Sequence, residues 1–484
     1  MANTPFVGLN GIQPAHRPKT VEEYSYDQLA SRSTASSLDM DDDDYIIEWE
    51  FLPDKALGII LSHLEPCELT TVRETCGPWC NFVDKNLLTV RPKAWPGAPP
   101  LDKIFPSLTR LDLTEMSSNK QCVMDALRSA MNLSVLKRLD LVVEPEEGEC
   151  RLPSEVALLT KLRIIVASAK DGGSECVKMS LPEEVSSLCS LEEIRFKYSV
   201  PDFCALQSIS SLKFLRLGKR NFGCLDDLDL MTNLQGLDLV QDRHLTAIPP
   251  EICSILGLRR LDLSRNMLIE LPEALGCLSH LTVLVANRNC IAHIPDSISQ
   301  LKQLVHLDLT NNVLAGLPAS MLRLKSLRLL DLSGNQLEGL PDDPGDLTSL
   351  RTLILDFNDI KKLGAGIGKM VRLRHLSLQH NHLEELSGGI GNLVDLTHLY
   401  LSANHLVSIP ASISRMESLC HVSLDQNCLE VLPKSMSRLE RLSSIDISFN
   451  RFQAMPLPKS VVDNLKEMYV EYNPFSVASE GVPT

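Results

Sequence analysis

Between residues 258 and 473 leucine and its aliphatic substitutes recur in one rhythm. The segments Leu258–Asn266 (LRRLDLSRN), Leu281–Asn289 (LTVLVANRN) and Leu304–Asn312 (LVHLDLTNN) share a single spacing, and the closing asparagine returns at Asn335, Asn358, Asn381, Asn404, Asn427, Asn450 and Asn473, every 23 residues. A fixed period of this size is the mark of a repeat architecture. Within a unit the order is L-x-x-L-x-L-x-x-N-x-L-x-x-L-P-x-x-I-x-x-L. The L-x-L core alternates with period two, which predicts a short strand with one buried face. The asparagine falls where the strand turns. Its amide is placed to bond backbone groups left unpaired there, and stacked units would make a ladder of such bonds. The later stretch, as at Leu271-Pro272, Ile294-Pro295 and Leu432-Pro433, has helical spacing with proline suited to a first turn.

One unit cannot bury its apolar face alone, so neighbours must stack into a solenoid. Looser copies end at Leu113, Leu141, Ala167, Phe196, Leu217 and Leu239, with steps of roughly 21 to 29 residues and the asparagine mostly missing; Asp242 stands in its place in one. The expected architecture is an α/β repeat, a horseshoe with about sixteen parallel strands on its concave face, ~75 Å long at ~4.8 Å per strand. Regular repeats are assigned to residues 234–475, irregular ones to 101–233, and a short tail to 476–484. No C-terminal catalytic domain is expected after them. These units resemble the 23-residue leucine-rich repeats of intracellular scaffolds, including those that bind Ras-type GTPases. The resemblance is specific for fold and nearly silent on partner.

A different pattern precedes the repeats. Residues 1–44 are rich in Ser, Thr, Pro, Gly and charge and end in Asp41-Asp42-Asp43-Asp44, which reads as a disordered acidic tail. Over 45–97 three short amphipathic pieces follow. Leu57, Ile60, Leu61 and Leu64 form one stripe, Pro66 begins a second piece with Leu69 and Val72, and Pro78 begins a third with Trp79, Phe82 and Val83. This segment resembles the F-box: it opens on Leu52-Pro53, has a Pro-x-x-Leu step at Pro66 and Leu69, and closes with Cys76-x-x-Trp79 and Asp84. The resemblance implies docking onto the Skp-type adaptor of a cullin–RING ubiquitin ligase, through Leu52, Pro53, Ile60, Leu64, Pro66 and Leu69, with Trp79 holding the unit together. The chain departs from the family's pattern at Gly77-Pro78, where basic residues are more usual. A polar-faced cap for the solenoid is the plainer reading of the same helices.

Composition narrows the function. A net charge of −15 opposes general binding to nucleic acid or anionic membranes. No basic start with an apolar run marks a secretory signal, and no uninterrupted apolar window of about 18 residues marks a membrane span. The 14 cysteines are scattered, with Cys189, Cys253 and Cys277 at apolar repeat positions, so a reduced, cytoplasmic or nuclear protein is expected. No nucleophile–base pair, phosphate-binding loop or zinc signature is visible, and no enzyme activity, cofactor or metal is expected.

Strand residues that are not core leucines should face a partner. In register, one column contains His375, His398 and His421, a second Tyr400 and Tyr469, and a third Asp425, with Phe357, His380, Phe449 and Tyr472 where the strands end. Aromatic side chains on a polar surface are typical anchors, so Phe357, His375, His398, Tyr400, His421, Asp425, Phe449, Tyr469 and Tyr472 are the expected target-binding residues. Stacked histidines on parallel strands point in parallel and do not converge as zinc ligands must. The sequence therefore reads as an F-box leucine-rich-repeat substrate receptor for an unidentified target protein. The alternatives are a scaffold for a Ras-type GTPase or other signalling protein, and a bacterial effector that mimics a host F-box protein in the host cytoplasm.

Overall fold

The computed structural model describes residues 89–92 and 101–475, apart from 117–119, 147–148, 171–176, 219–224, 226, 243 and 342–346. All of them fall in the second of the chain's two units, Lys55–Thr484.

Among the described residues the L-x-L cores form the rungs of a 17-stranded parallel sheet in which each strand pairs with the next strand of that sheet along the chain. From Arg260 onward each strand is three residues long, as at Arg260–Asp262, Val283–Val285 and His306–Asp308. In most of them the central residue is buried and the outer two are half-buried, which turns both outer side chains to one face. Below the sheet, Leu258, Leu261, Leu263 and Leu268 and their counterparts in later units are buried and form the continuous spine, which opens only in the last unit, where Leu465 and Met468 are partly buried. Successive spine leucines replace one another at equal depth, so each unit completes the core of the one before it.

The asparagines make the ladder. Asn289 Nδ2 donates to the carbonyls of Leu263, one unit back, at 2.9 Å and of Ala286 at 3.0 Å, while its Oδ1 accepts from Leu268 N at 3.0 Å. Asn358 repeats this with Leu332 O, Leu355 O and Leu337 N, each at 3.0 Å. Asp242 has no amide to donate. Its Oδ1 accepts from His244 N at 2.8 Å, and its own N–H donates to Asn266 Oδ1 at 2.7 Å.

The residue before each asparagine carries positive φ: Arg265, Arg288, Asn311, Gly334, Phe357, His380, Ala403, Gln426, Phe449 and Tyr472 all lie between 52° and 66°. Glycine accepts this conformation freely, and a bulky side chain does so at a cost.

Four features differ from the sequence reading. The L-P-x-x-I stretches are five-residue 3-10 turns, such as Glu273–Cys277 and Asp296–Gln300, and the proline caps the turn from outside instead of standing in its first position. Pro272 O accepts from Leu275 N at 3.0 Å, and the chain turns back toward the next strand before an α-turn can close. Cys253 is buried as expected, but Cys189 and Cys277 are exposed. Cys277 ends its turn pointing outward, and the adjacent Leu278 fills the core instead. Third, Thr89–Val90, counted by sequence with the helical segment, is a strand paired with Arg110–Leu111. It covers an open sheet edge with β-branched residues.

The fourth difference lies among the irregular units. Their strands at Arg138–Val143 and Ile164–Ala169 run to six residues, and a second parallel sheet joins Glu149–Arg151, Val177–Ser180 and Ser199–Pro201. Direct backbone pairing there does the work that the asparagines do further along.

Candidate protein-binding surface

The strand pairing sets the columns. Thr352 pairs with His375, His375 with His398, His398 with His421, and His421 with Ser444. Two positions further along each strand, and so on the same face, Ser377 pairs with Tyr400, Tyr400 with Ser423, and Asp446 with Tyr469. The site residues named from sequence in this half of the chain therefore share one face and its strand-end edge.

On the face, the rings of His375 and His398 stack at 4.4 Å and those of His398 and His421 at 4.5 Å. Tyr400 is tilted against His398 at 6.0 Å. Thr397 Oγ1 lies 2.8 Å from His398 Nδ1 and fixes the central ring. Partial burial, then the neighbouring His375 and His421, hold the His398 pKa below its usual value. Burial pushes the Tyr400 phenol up.

At the strand ends two aromatic pairs stand out from the surface. Phe357 stacks on His380 at 4.3 Å and Phe449 on Tyr472 at 4.2 Å, both nearly parallel. Phe357 is 59% exposed, Phe449 49%, Tyr472 75% and Tyr469 47%, so none of them serves the core. Three of the four also hold a left-handed backbone. That conformation is common to every unit at this position, and here it holds the aromatic rings out from the strand ends. Between the pairs lie the smaller Ala403 and Gln426 rungs, which sets the pairs about 14 Å apart at ~4.8 Å per rung.

Carboxylates border this surface. Asp425 accepts from Ser423 Oγ at 2.8 Å and from Ser402 Oγ. Asp356 accepts from Ser377 Oγ at 2.6 Å and Gln379 N at 2.7 Å. Burial pushes the pKa of Asp356 and Asp446 above the ordinary aspartate value despite these bonds. Among the described residues none of the three meets a lysine or arginine.

The first half of the face is different, and sequence reasoning passed over it. There Arg91 bonds Asp112 at 2.8 Å, Arg110 bonds Asp140 at 2.7 Å, Arg138 bonds Asp140 at 2.8 Å, and Arg216 bonds Asp238 at 2.6 Å. Asp112 is desolvated by burial, yet its bonds to Thr114 and Arg91 outweigh this and lower its pKa. These aspartates are the buried partners of rung arginines. Acid positions are thus paired with arginines in the first half of the sheet, whereas, among the described residues, Asp356, Asp425 and Asp446 in the second are not.

Outside the strand face, His382 stacks on His405 at 5.6 Å, and its Nε2 lies 3.6 Å from Asp359. Among the described residues no group of three or more His, Cys, Asp or Glu is arranged to hold a metal ion. Nor is any described helix long and apolar enough to cross a membrane. The expected adaptor contacts Leu52, Pro53, Ile60, Leu64, Pro66 and Leu69 lie outside the described residues.

Comparison with known proteins assigns both parts. A family model for the F-box domain matches residues 49–91. A leucine-rich repeat region model matches 245–365, and a leucine rich repeat model matches 348–406 and 396–452. No curated protein matches the chain. Among solved structures, a leucine-rich-repeat protein of Leptospira interrogans is similar at 26% identity and a TM-score of 0.59, covering 78% of this chain and 88% of that one. A TDR receptor is similar at 24% identity and 0.56, covering 78% and 69%. The Toll–Spatzle complex of Drosophila gives 19% and 0.60, covering 74% and 49%. The last two share the fold alone.

Proposed function

We propose that this chain, an F-box domain followed by a leucine-rich-repeat solenoid, is the substrate-recognition subunit of a Skp-adaptor, cullin and F-box ubiquitin ligase. Both modules are of kinds that typically bind and do not catalyse. The observation that carries the reading is their succession in one chain: an F-box match running to residue 91, and a sheet whose first strand, Thr89–Val90, already lies within it.

In this reading Leu52, Pro53, Ile60, Leu64, Pro66 and Leu69 contact the adaptor. The second half of the strand face holds the target, with Phe357, Phe449, Tyr469 and Tyr472 as apolar anchors and His375, His398, Tyr400, His421 and Asp425 as the polar floor between them. The unneutralised carboxylates favour a target segment carrying basic residues. The ubiquitin-transfer chemistry belongs to other subunits. This chain contributes proximity, by raising the local concentration of one particular protein beside the transfer machinery. Such a complex works inside the cell.

The test is capture of a Skp-type adaptor by the full chain and by a Leu52→Ala/Pro53→Ala variant. The wild type retains the adaptor and the variant loses it. Equal retention by both, or retention by neither, refutes the ligase assignment and leaves the solenoid as a scaffold.

A further inference from the structure

Opposite the strand-end edge, the residues just before each strand form an edge of their own. Their backbones are joined rung to rung: Arg163 N donates to Lys137 O at 2.8 Å, Glu192 N to Arg163 O at 2.9 Å, and Lys213 N to Glu192 O at 2.9 Å. The same line continues through Arg328, Arg351 and Arg374, where Arg351 N donates to Arg328 O and Arg374 N to Arg351 O at 2.8 Å. In a chain of net charge −15 this edge carries basic clusters, separated by neutral rungs such as Gln235, Thr282 and Val305.

At the first of these clusters the edge is hollowed into a cavity of about 390 Å³, lined by Lys137, Lys161, Arg163, Glu192, Lys213 and Ser190 together with neighbouring turn residues. Four cations there face one carboxylate. Glu192 is taken by Lys213 at 3.3 Å. Among the described residues no carboxylate lies within ion-pair reach of Lys137, Lys161 or Arg163, although on the adjoining strand face of the same units each arginine meets an acid. Like charges gathered at rung spacing repel one another, by an amount that falls with salt. A cluster without its own counter-charge, around a hollow of small-molecule size, fits a ligand that brings the missing negative charge.

We propose that this cavity is a binding site for clustered phosphate groups, borne either by a soluble polyphosphorylated small molecule or by a lipid headgroup. Arg163 offers a planar two-donor fork to one phosphate, and Lys137 and Lys161 act as mobile point charges on its neighbours. The site lies among the irregular units, apart from the target-binding face, and does not depend on the ligase reading.

Titration of the full chain with tripolyphosphate in 150 mM salt tests this, followed by calorimetry and thermal unfolding. Saturable binding is expected, with Tm rising about 3 °C at large ligand excess. Lys137→Glu/Arg163→Glu should weaken binding at least ~10-fold, equivalent to one step of about 1.4 kcal/mol. Lys137→Gln/Arg163→Gln, a milder pair should the reversal disturb folding, should weaken it in the same sense. Arg328→Glu/Arg351→Glu, on the same edge but outside this cavity's lining, should leave it unchanged. Flotation with phosphatidylcholine vesicles containing phosphatidic acid separates the sources: vesicle capture competed by tripolyphosphate assigns a headgroup, and binding of tripolyphosphate without vesicle capture assigns a soluble ligand. Absence of saturable binding in both arms overturns the proposal. So does equal weakening by Arg328→Glu/Arg351→Glu, which would make the attraction a property of the whole edge.

Discussion

Replacing Asn358 with alanine should cost about 2–4 kcal/mol of stability, and the ladder geometry shows where that cost arises. Asn358 is 5% exposed and makes three bonds of 3.0 Å, to Leu332 O, Leu355 O and Leu337 N. Leu332 O also accepts from Asn335 at 2.9 Å, and Leu355 O from Asn381 at 2.9 Å, so each carbonyl keeps one partner in the variant. The Leu337 amide loses its acceptor outright. One stranded buried N–H costs about 1–3 kcal/mol, and two weakened carbonyls add roughly 0.5 kcal/mol or more each. Asn473, at the end of the ladder, makes equivalent bonds to Ile447 O at 2.9 Å and Phe452 N at 3.2 Å but is itself only half-buried. Water can replace those bonds, so Asn473→Ala should cost about 1 kcal/mol or less. Urea unfolding of both variants, with hydrogen exchange at the Leu337 amide, measures the difference. In Asn358→Ala that amide should exchange much faster while amides two units away stay protected. Equal losses for the two variants, or unchanged protection at Leu337, would refute the view that the ladder stabilises by satisfying buried backbone.

Three further outcomes follow. Phe357→Gly gains freedom at a φ of 56° and loses a stack on His380 worth roughly 0.5–1.5 kcal/mol, so thermal stability should change little while target capture falls at least ~10-fold; a matching loss of both would make Phe357 a structural residue. His398, its pKa lowered by burial and by His375 and His421, binds fewer protons folded than unfolded, so its stabilising contribution is complete above the unfolded value of about 6.5 and fades as pH falls through it. Proton NMR should place its midpoint below that of an unfolded histidine and move it up in His375→Gln/His421→Gln; a midpoint at or above the ordinary value would contradict the stack. Gly391→Ala would drive a methyl group into the Ser412 carbonyl of the next turn and should destabilise by about 1–3 kcal/mol in urea, against near-neutrality for Gly316→Ala, where nothing stands within 4 Å.

The regular half of the molecule was legible because its signals coincide. A period-two core, an in-phase asparagine and a fixed step each specify the same register, and the columns from Arg260 to Glu467 follow by counting. The aromatic pairs at Phe357 and Phe449 could be placed for the same reason, though their partners His380 and Tyr472 become contacts only once ring orientation is known. Where units vary in length, counting fails. The small sheet through Glu149–Arg151 replaces side-chain bonds with backbone ones, which leave no residue signature. The basic cavity gathers Lys137, Lys161 and Arg163 from turns whose spacing is irregular, so their proximity appears only after folding. Cys277 was misplaced because an outward and an inward position are adjacent in a five-residue turn.

Each ladder asparagine reaches one unit back, and each rung touches only the rungs beside it. Loss or duplication of a whole 23-residue block therefore keeps the asparagine-to-carbonyl bonding pattern at every remaining joint, since each unit offers its neighbour the same backbone carbonyls. What changes is the gap between features on the outward face. Deleting one block between His380 and Phe449 would draw the two aromatic pairs together by a single step of ~4.8 Å. A lineage carrying such an array can thus retune the length of segment it grips in whole increments, through one recombination event and without passing through an unfolded intermediate form.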